Sequence, residues 1–279
     1  MNALAAWQER VAACRAERNN ADEAMWQRLA PWYDQWVQQN DYVDLVLPQI
    51  QRLLRPEARV LEIGPGTGAF TLPLAHIAGE VVAIEPSEGM RAVLARNLAA
   101  EGLDHVRLLP QRVEDALAQL HGRYDLALAS HSLYNVPDIA EVVRALVSLA
   151  PHVVILMGTG HQQAWLGRLY RRFKGETPCS PAHFGLFYDV LLEMGIYADV
   201  QILWTSANYV YDSVEELVEW WAPRLGCADG DRDALRAAML EQTTQQGEKI
   251  AILGQQRAAL IHIDAERSLF APATAEDGD

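Results

Sequence analysis

The 279-residue chain is poor in cysteine, short of positive charge and without a long apolar run. Its three cysteines, Cys14, Cys179 and Cys227, are far apart and form no C-x-x-C, so their spacing indicates neither a disulfide framework nor a zinc site, and a reducing cytoplasm fits. Lysine and arginine number 23 against 37 aspartates and glutamates, a formal charge of -14, which disfavours attraction to polyphosphate. A small molecule is therefore a better expected partner than nucleic acid. No stretch approaches membrane-spanning length, and the N-terminal MNALAAWQER reaches charge before it accumulates the apolar core of a signal peptide. Internal repeats and low-complexity segments are missing too. What is present is a half-hydrophobic composition, enough to bury a full core in one large domain or a domain with additions.

The most informative stretch is Arg59 to Gly68, RVLEIGPGTG. A short apolar run with β-branched residues suits a buried strand, and Gly64-x-Gly66-x-Gly68 then opens the way to another apolar segment. Glycine here permits φ > 0 and removes the Cβ that would keep a ligand from the backbone, while the following helix start offers unpaired N–H groups. Seventeen residues past Gly68, the run EVVAI ends in Glu85, a carboxylate at the carboxyl edge of a second strand, where a ribose hydroxyl is met in nucleotide-binding sheets. A dinucleotide fingerprint would need its third glycine at Ala69, and Gly68 breaks that spacing.

Val60-Leu61-Glu62-Ile63-Gly64-Pro65-Gly66-Thr67-Gly68, Ile84-Glu85-Pro86-Ser87 with Met90, Gln111 to Asp115 and Tyr124 to His131 occur in that order. Together they resemble the class I S-adenosylmethionine-dependent methyltransferase family over roughly Leu54 to Gly160. The resemblance implies an α/β fold: a Rossmann-like doubly wound seven-stranded sheet of order 3-2-1-4-5-7-6 with the last strand antiparallel. It implies S-adenosyl-L-methionine as cofactor, with Glu62 and the Gly64, Pro65, Gly66 and Gly68 backbone at the methionine part. Glu85 with Pro86 would meet the ribose, Met90 the adenine face, and Val113 and Glu114 the adenine edge. Many relatives carry Asp where this chain has Arg112, which leaves open which side chain meets the adenine amine.

Apolar periodicity predicts three helices before the first strand, with a break at Pro31 and the third ending at Arg55-Pro56. Residues 1–54 are thus expected to be an N-terminal helical lid and 55–270 the methyltransferase domain, with a helical insertion about 161–197 and a loose acidic tail, 271–279. Strands are predicted near 59–63, 80–84, 106–109, 124–129, 152–157, 200–204 and 258–263. Ser87 suits a helix cap, Ser213-x-x-Glu216 a capping box, and Ser180 with Pro181 the start of a helix running to Glu193. Pro73 bends or delays the helix after Gly68.

Ligands of open α/β sheets bind outside the carboxyl ends of the strands, which draws Ser130, His131, Tyr134 and His161 toward the same place. His131 and His161 are the candidate bases, since imidazole titrates near working pH; a hydrogen-bonded structural role is the other reading. Trp32, Tyr33 and Trp36 either wall the acceptor pocket or pack the helices in the ordinary way. His183 is a third histidine near the acceptor side. Arg168, Arg171 and Arg172 form one basic helix face, suited either to an anionic group of the acceptor or to solvent. No metal site is read; Asp229 to Asp233 lacks the glycine and glutamate of a calcium loop and reads as a turn before a helix.

The resulting expectation is in-line methyl transfer to an N, O, S or C nucleophile of a small molecule. An RNA adenine methyltransferase, and a protein that holds the cofactor without turnover, stay open as alternatives. The Ser130 to Pro137 block differs from the Asn-Leu-Pro-Tyr type of the ribosomal RNA adenine dimethyltransferases, which weighs against RNA.

Overall fold

The computed structural model describes residues 2–17, 22–160, 164–175 and 179–268. The expected acidic tail and His161 lie outside them. Seven strands form the central sheet: β1 (Arg59–Ile63), β2 (Glu80–Ile84), β3 (Val106–Leu109), β4 (Leu126–Ser130), β5 (His152–Gly158), β6 (Asp199–Ser206) and β10 (Gln255–Asp264). Their order is β3-β2-β1-β4-β5-β10-β6, with β10 antiparallel to both neighbours, so the expected topology is the observed one. A second sheet, β7-β9-β8, joins Tyr209–Tyr211, Lys249–Ile252 and Thr244–Gln246; the sequence patterns did not reveal it. Its strands are three or four residues long and carry little alternation.

Alternation within the long strands builds two cores. Leu61, Ile63, Val82, Ile84, Ala127, Ile155 and Ile261 point to one face, covered by α1 (Ala3–Glu17), α6 (Val113–Leu117), α7 (Ile139–Leu149) and α9 (Phe184–Glu193). Val60, Val81, Leu126, Leu128, Val154 and Leu260 point to the other, under α3 (Tyr42–Gln51) and α4 (Thr71–Ala75). The remaining helices are α2 (Asp22–Gln38), α5 (Glu88–Glu101), α8 (Ala164–Lys174), α10 (Val214–Leu225) and α11 (Arg232–Leu240). A third core gathers Leu169 of α8, Leu217 and Trp221 of α10, Leu235 and Met239 of α11, and Ile250 and Ile252 of β9. Residues 207–254 thus fold with α8 into a unit of their own. Because β6 runs parallel to β1–β5, this unit leaves from the carboxyl edge of the sheet.

The three N-terminal helices go to three places. On the first face, the N-terminal amides of α1, on Ala3 and Leu4, are satisfied by the Glu193 carboxylate, and Trp7 donates to the Val136 carbonyl at 2.7 Å. The third helix packs under the second face. Only α2 crosses the top, and it runs through Pro31 without the expected break. Gly89 meets the Gln27 backbone so closely that a Cβ would lie 2.6 Å from Gln27 Cα, which lets α2 seat flush on the start of α5. That seating supports a helix whose proline leaves one carbonyl without its usual donor.

One expectation holds and two change. The helix after Gly68 starts late, at Thr71, with Pro73 as its third residue, and ends at Ala75. The helix expected from Ser180 begins at Phe184; the cap is His183, whose Nδ1 accepts from the Gly185 N–H at 3.2 Å. Cys14 and Cys179 are joined by a disulfide although 165 residues separate them, because α1 folds back along α9. Linear spacing carries no trace of that juxtaposition, and cysteine usage is no longer an argument for a reducing compartment. Among the described residues no helix is long and apolar enough to cross a membrane.

Alkylation without reductant should modify one thiol, Cys227, and alkylation after reduction should modify three, as read by intact mass. Three modified thiols before reduction would contradict the bridge. The double variant Cys14→Ser, Cys179→Ser should unfold at lower denaturant, by up to about 5 kcal/mol on the loop-entropy model.

Candidate functional site at the carboxyl edge of the sheet

The glycine turn lies between β1 and α4 and is shaped by its neighbours. Gly64, at φ +69°, leaves so little room that a Cβ would sit 2.4 Å from Ser132 Cβ. Ser132 in turn donates to the Ile63 carbonyl at 2.6 Å, which locks the ends of β1 and β4 together. Gly66, at φ +60°, gives its N–H to Glu85 Oε2 at 3.1 Å, and its α-carbon faces the Tyr33 ring. Side chains at these two places would strain the backbone, and would collide with Ser132 at Gly64 and meet the Tyr33 ring at Gly66. Thr67 is buried and its hydroxyl has no partner.

Two carboxylates flank this turn. Glu62, 2% exposed, accepts from Thr71 Oγ1 at 2.7 Å. Glu85, 7% exposed, accepts from the N–H groups of Ser87 and Gly66. Among the described residues no basic side chain bonds either one; Arg91 gives its guanidinium to the carbonyls of Glu85 and Pro86 instead. Burial pushes the Glu62 carboxyl up to about 7, with the Thr71 hydrogen bond opposing and the Glu85 charge adding. Burial raises Glu85 as well, against its two backbone hydrogen bonds and the Arg91 charge. A pair of desolvated acids without a cation is costly alone and complementary to a positive ligand.

Above the acids sits a hydroxyl and imidazole network. Tyr42 and Tyr33 share a hydrogen bond between their hydroxyls, and burial raises both phenols. His131, held at φ +53° just after β4, lies edge-on to Tyr42 at 5.9 Å. Its Nδ1 is 2.7 Å from the Tyr134 hydroxyl, and that hydroxyl accepts from the Gly158 N–H at 2.7 Å. With Gly158 as donor, the phenolic hydrogen is free to go to Nδ1, the arrangement in which the ring carries its proton on Nε2. Burial lowers the imidazole to about 4, which keeps it neutral at physiological pH. In this arrangement His131 offers an N–H donor.

The fold brings Glu62, Gly64, Pro65, Gly66, Gly68, Glu85, Ser130, His131, Tyr134 and Tyr33 to one place. Met90 is buried against Ala30 and Val93, with Trp26 and Tyr33 beside it, so α2 covers it. Arg112 and Glu114 are exposed at the start of α6, with Val113 buried between them. Pro86 is exposed. Arg168 is exposed on α8 and donates to Gln242 at 3.2 Å, toward the 207–254 unit. His183 lines a separate cleft of 740 Å³ between α1 and α9, beside Glu9, Arg10 and Asp189.

Several residues here were not anticipated. Tyr42 gave no signal, because a lone Tyr has no spacing to read; Ser132 lies within the Ser130–Tyr134 stretch expected at the strand ends, but its bond to Ile63 was not foreseen. An aromatic wall joins α2 to the 207–254 unit: Trp32 stacks on Trp220 at 3.9 Å and faces Tyr209 at 6.1 Å. Trp36 stacks on Tyr33 at 5.7 Å, Trp165 abuts Tyr209 edge-on, and Arg224 lies over the Trp220 ring at 3.3 Å. Trp32 and Trp36 could be read from the sequence as aromatic positions on a helix, but their partners at 209 and 220 could not.

Residues 33–188 match the family model described as methyltransferase domain. The chain is 34% identical over 98 residues to a ubiquinone biosynthesis O-methyltransferase of Xanthomonas campestris pv. campestris, covering 35% of this chain and 41% of that protein. It is 49% identical over 51 residues to a probable ribosomal RNA small subunit methyltransferase A of Methanothermobacter thermautotrophicus, 18% of this chain and 19% of the relative. The chain therefore spans between about a fifth and two fifths of these relatives. The YcgJ protein of Bacillus subtilis has the same fold, with a TM-score of 0.53 at 16% identity over 79% of this chain and 96% of that one.

Glu62 titrates near 7 in the folded chain and near 4.5 when unfolded. Its contribution to stability is greatest below 4.5, falls as pH rises through that interval, and stays at its lower level above 7. Glu62→Gln should therefore gain stability relative to wild type between pH 5 and pH 8, by up to about 3 kcal/mol. Thermal or denaturant unfolding at the two pH values measures it, and parallel curves for the two proteins would contradict the burial argument.

Proposed function

The chain belongs to the class I S-adenosylmethionine-dependent methyltransferase family, and from that premise we propose that it methylates an N, O, S or C nucleophile of a small molecule. The family cofactor, S-adenosyl-L-methionine, supplies an electrophilic methyl on a sulfonium. The site's residues fit such a group on three counts: a turn that a Cβ would fill, an unpartnered buried hydroxyl on Thr67, and two acids without a bonded cation. Glu62 and the Gly64–Gly68 backbone would hold the methionine part, Glu85 the ribose hydroxyls, and Met90 with Val113 the adenine.

The observation that favours a small acceptor is the aromatic wall of Trp32, Trp36, Trp165, Tyr209 and Trp220 above the carboxyl edge. Rings of this kind desolvate a flat or apolar molecule and exclude water from it. A polynucleotide instead needs a broadly basic track, which a chain of formal charge -14 disfavours. The resemblance to the ribosomal RNA enzyme is confined to 51 residues.

In this reading, α2 is the lid, with Tyr33 over Gly66. Much of the rate enhancement comes from holding the nucleophile in line, and excluding water strengthens each charge interaction. His131 orients the acceptor through its Nε2–H, with Tyr134 and Gly158 fixing the ring. A cytoplasmic location belongs to this proposal too, and a Cys14–Cys179 bridge in the alkylation experiment above would count against it.

Glu85→Ala should weaken S-adenosylhomocysteine binding about ten- to a hundred-fold by calorimetry, the loss of one or two hydrogen bonds to a charged group. Wild-type protein given S-adenosylmethionine and a panel of small aromatic acceptors should release S-adenosylhomocysteine, detected by mass spectrometry. Unchanged affinity removes Glu85 from the site, and turnover on RNA alone overturns the small-molecule acceptor.

A further inference from the structure

Both ends of the Cys14–Cys179 bridge adjoin the network that holds His131. Cys14 belongs to the last turn of α1, and the next residue, Arg15, donates from Nη2 to the Asn135 carbonyl at 2.5 Å. Asn135 closes the short turn Leu133–Asn135 that carries Tyr134, whose hydroxyl meets His131 Nδ1. Cys179 stands in the stretch that leads into α9. In that stretch the His183 ring covers Gly160 so closely that a Cβ there would lie 2.9 Å from it. Gly160 comes just after Gly158, whose N–H donates to the same Tyr134 hydroxyl. Two segments far apart in sequence, 14–15 and 179–183, thus abut the turn after β4 and the tip of β5, and the bridge is the covalent tie between them.

The two halves of α1 depend on that tie differently. The first half is anchored without it: Glu193 accepts from the Ala3 and Leu4 amides, Trp7 donates to the Val136 carbonyl, and Trp7 and Val11 are core residues. The last turn, past Val11, is held by the bridge and by Arg15, and a helix end that loses its tertiary contacts frays. The cradle is tied to its own strands instead, through Gly66 and Ser87 to Glu85 and through Thr71 to Glu62. We infer that the Cys14–Cys179 pair is a redox switch on acceptor positioning: closed, it keeps Arg15 on Asn135 and so fixes Tyr134 and His131, and opened, it frees that turn while the cradle keeps its shape. The inference rests on the reading of His131 as the residue that orients the acceptor. A dithiol opens the switch. Cys179 is half-buried and Cys14 is 2% exposed, so a thiolate attacks Cys179 Sγ, the S–S bond breaks, and Cys14 leaves as a thiolate that takes up a proton. The second thiol of the reductant then displaces Cys179, which is protonated in turn. Two electrons pass from the dithiol to the cysteines, and it departs as a cyclic disulfide. The open cleft of 740 Å³ lined by Ala13 and His183 brings small thiols to this corner.

The wild-type chain, compared before and after dithiothreitol, tests this without any variant. Amide hydrogen exchange of residues 133–136, read by mass spectrometry, should rise about fivefold or more on reduction, with 62–68 and 85–90 unchanged. In a chain with isotope-labelled histidine, the His131 ring, identified with His131→Gln, should pass from one fixed tautomer to an averaged pair of signals. Affinity for S-adenosylhomocysteine by calorimetry should stay within about twofold. Release of S-adenosylhomocysteine in the acceptor panel should fall about tenfold or more on reduction and recover with glutathione disulfide. Cys14→Ser with Cys179→Ser should behave as the reduced chain in either buffer, and Cys227→Ser should still respond. Equal exchange and an unchanged His131 ring in the two redox states overturn the switch, as does exchange that rises equally in the cradle. Absence of S-adenosylhomocysteine binding in both states overturns the cofactor reading instead, and the exchange and ring signals still decide the switch.

Discussion

A turn of small residues wedged between two buried acids governs the rest of this structure. Gly66 gives its N–H to Glu85, Gly64 gives its own to the Ile84 carbonyl, and Ser132 reaches across to the Ile63 carbonyl. Three strand ends are tied to one loop by these contacts. Keeping Glu62 and Glu85 out of water without a bonded cation costs stability, and the shifted carboxyl of Glu62 is the measure of that cost. Proteins keep such strain where a ligand relieves it. The tyrosines above the acids, Tyr33 and Tyr42, shield the pair from solvent while supplying only neutral groups, which preserves its appetite for positive charge.

Around that cradle the chain spends its additions on one edge of the sheet. Helix α2 crosses over the turn, α8 and the 207–254 unit rise beside it, and aromatic rings fill the seam between them. The layers differ in chemistry as well as in place: two buried acids below and aromatic rings above. The histidine between these layers is wired to the tip of β5 through Tyr134 and Gly158, so its orientation is set by the sheet itself. The opposite flank, where α1 lies along α9, is secured by the Trp7 indole, the Glu193 carboxylate and the Cys14–Cys179 bridge, and serves as foundation.

The sheet was legible because its strands are short apolar runs and the turn after the first carries glycine. Arg59–Ile63, Glu80–Ile84 and Val106–Leu109 fall where the apolar runs put them, and the order of all seven strands follows from the family resemblance. Ser87 and Ser213 cap their helices because a hydroxyl accepting from the third residue on is a local event. The failures share a different cause. Pro31 is tolerated because Gly89 lets another helix brace α2, and two cysteines 165 residues apart meet only when two helices pack. Each depends on a contact distant in sequence. The cradle, built from consecutive residues and one strand-end acid, could be read; the aromatic wall, assembled from four segments, could not.

The claim that the cradle is an acidic site awaiting a cation is tested most directly by counting protons. Titration calorimetry of S-adenosylmethionine into the chain, repeated in buffers of different ionisation enthalpy, gives the number released on binding. With Glu62 near 7, about half a proton should leave at pH 7 and almost none at pH 9, and Glu62→Gln should abolish the release. Binding with no proton release at any pH between 6 and 9, or proton uptake, would contradict the account.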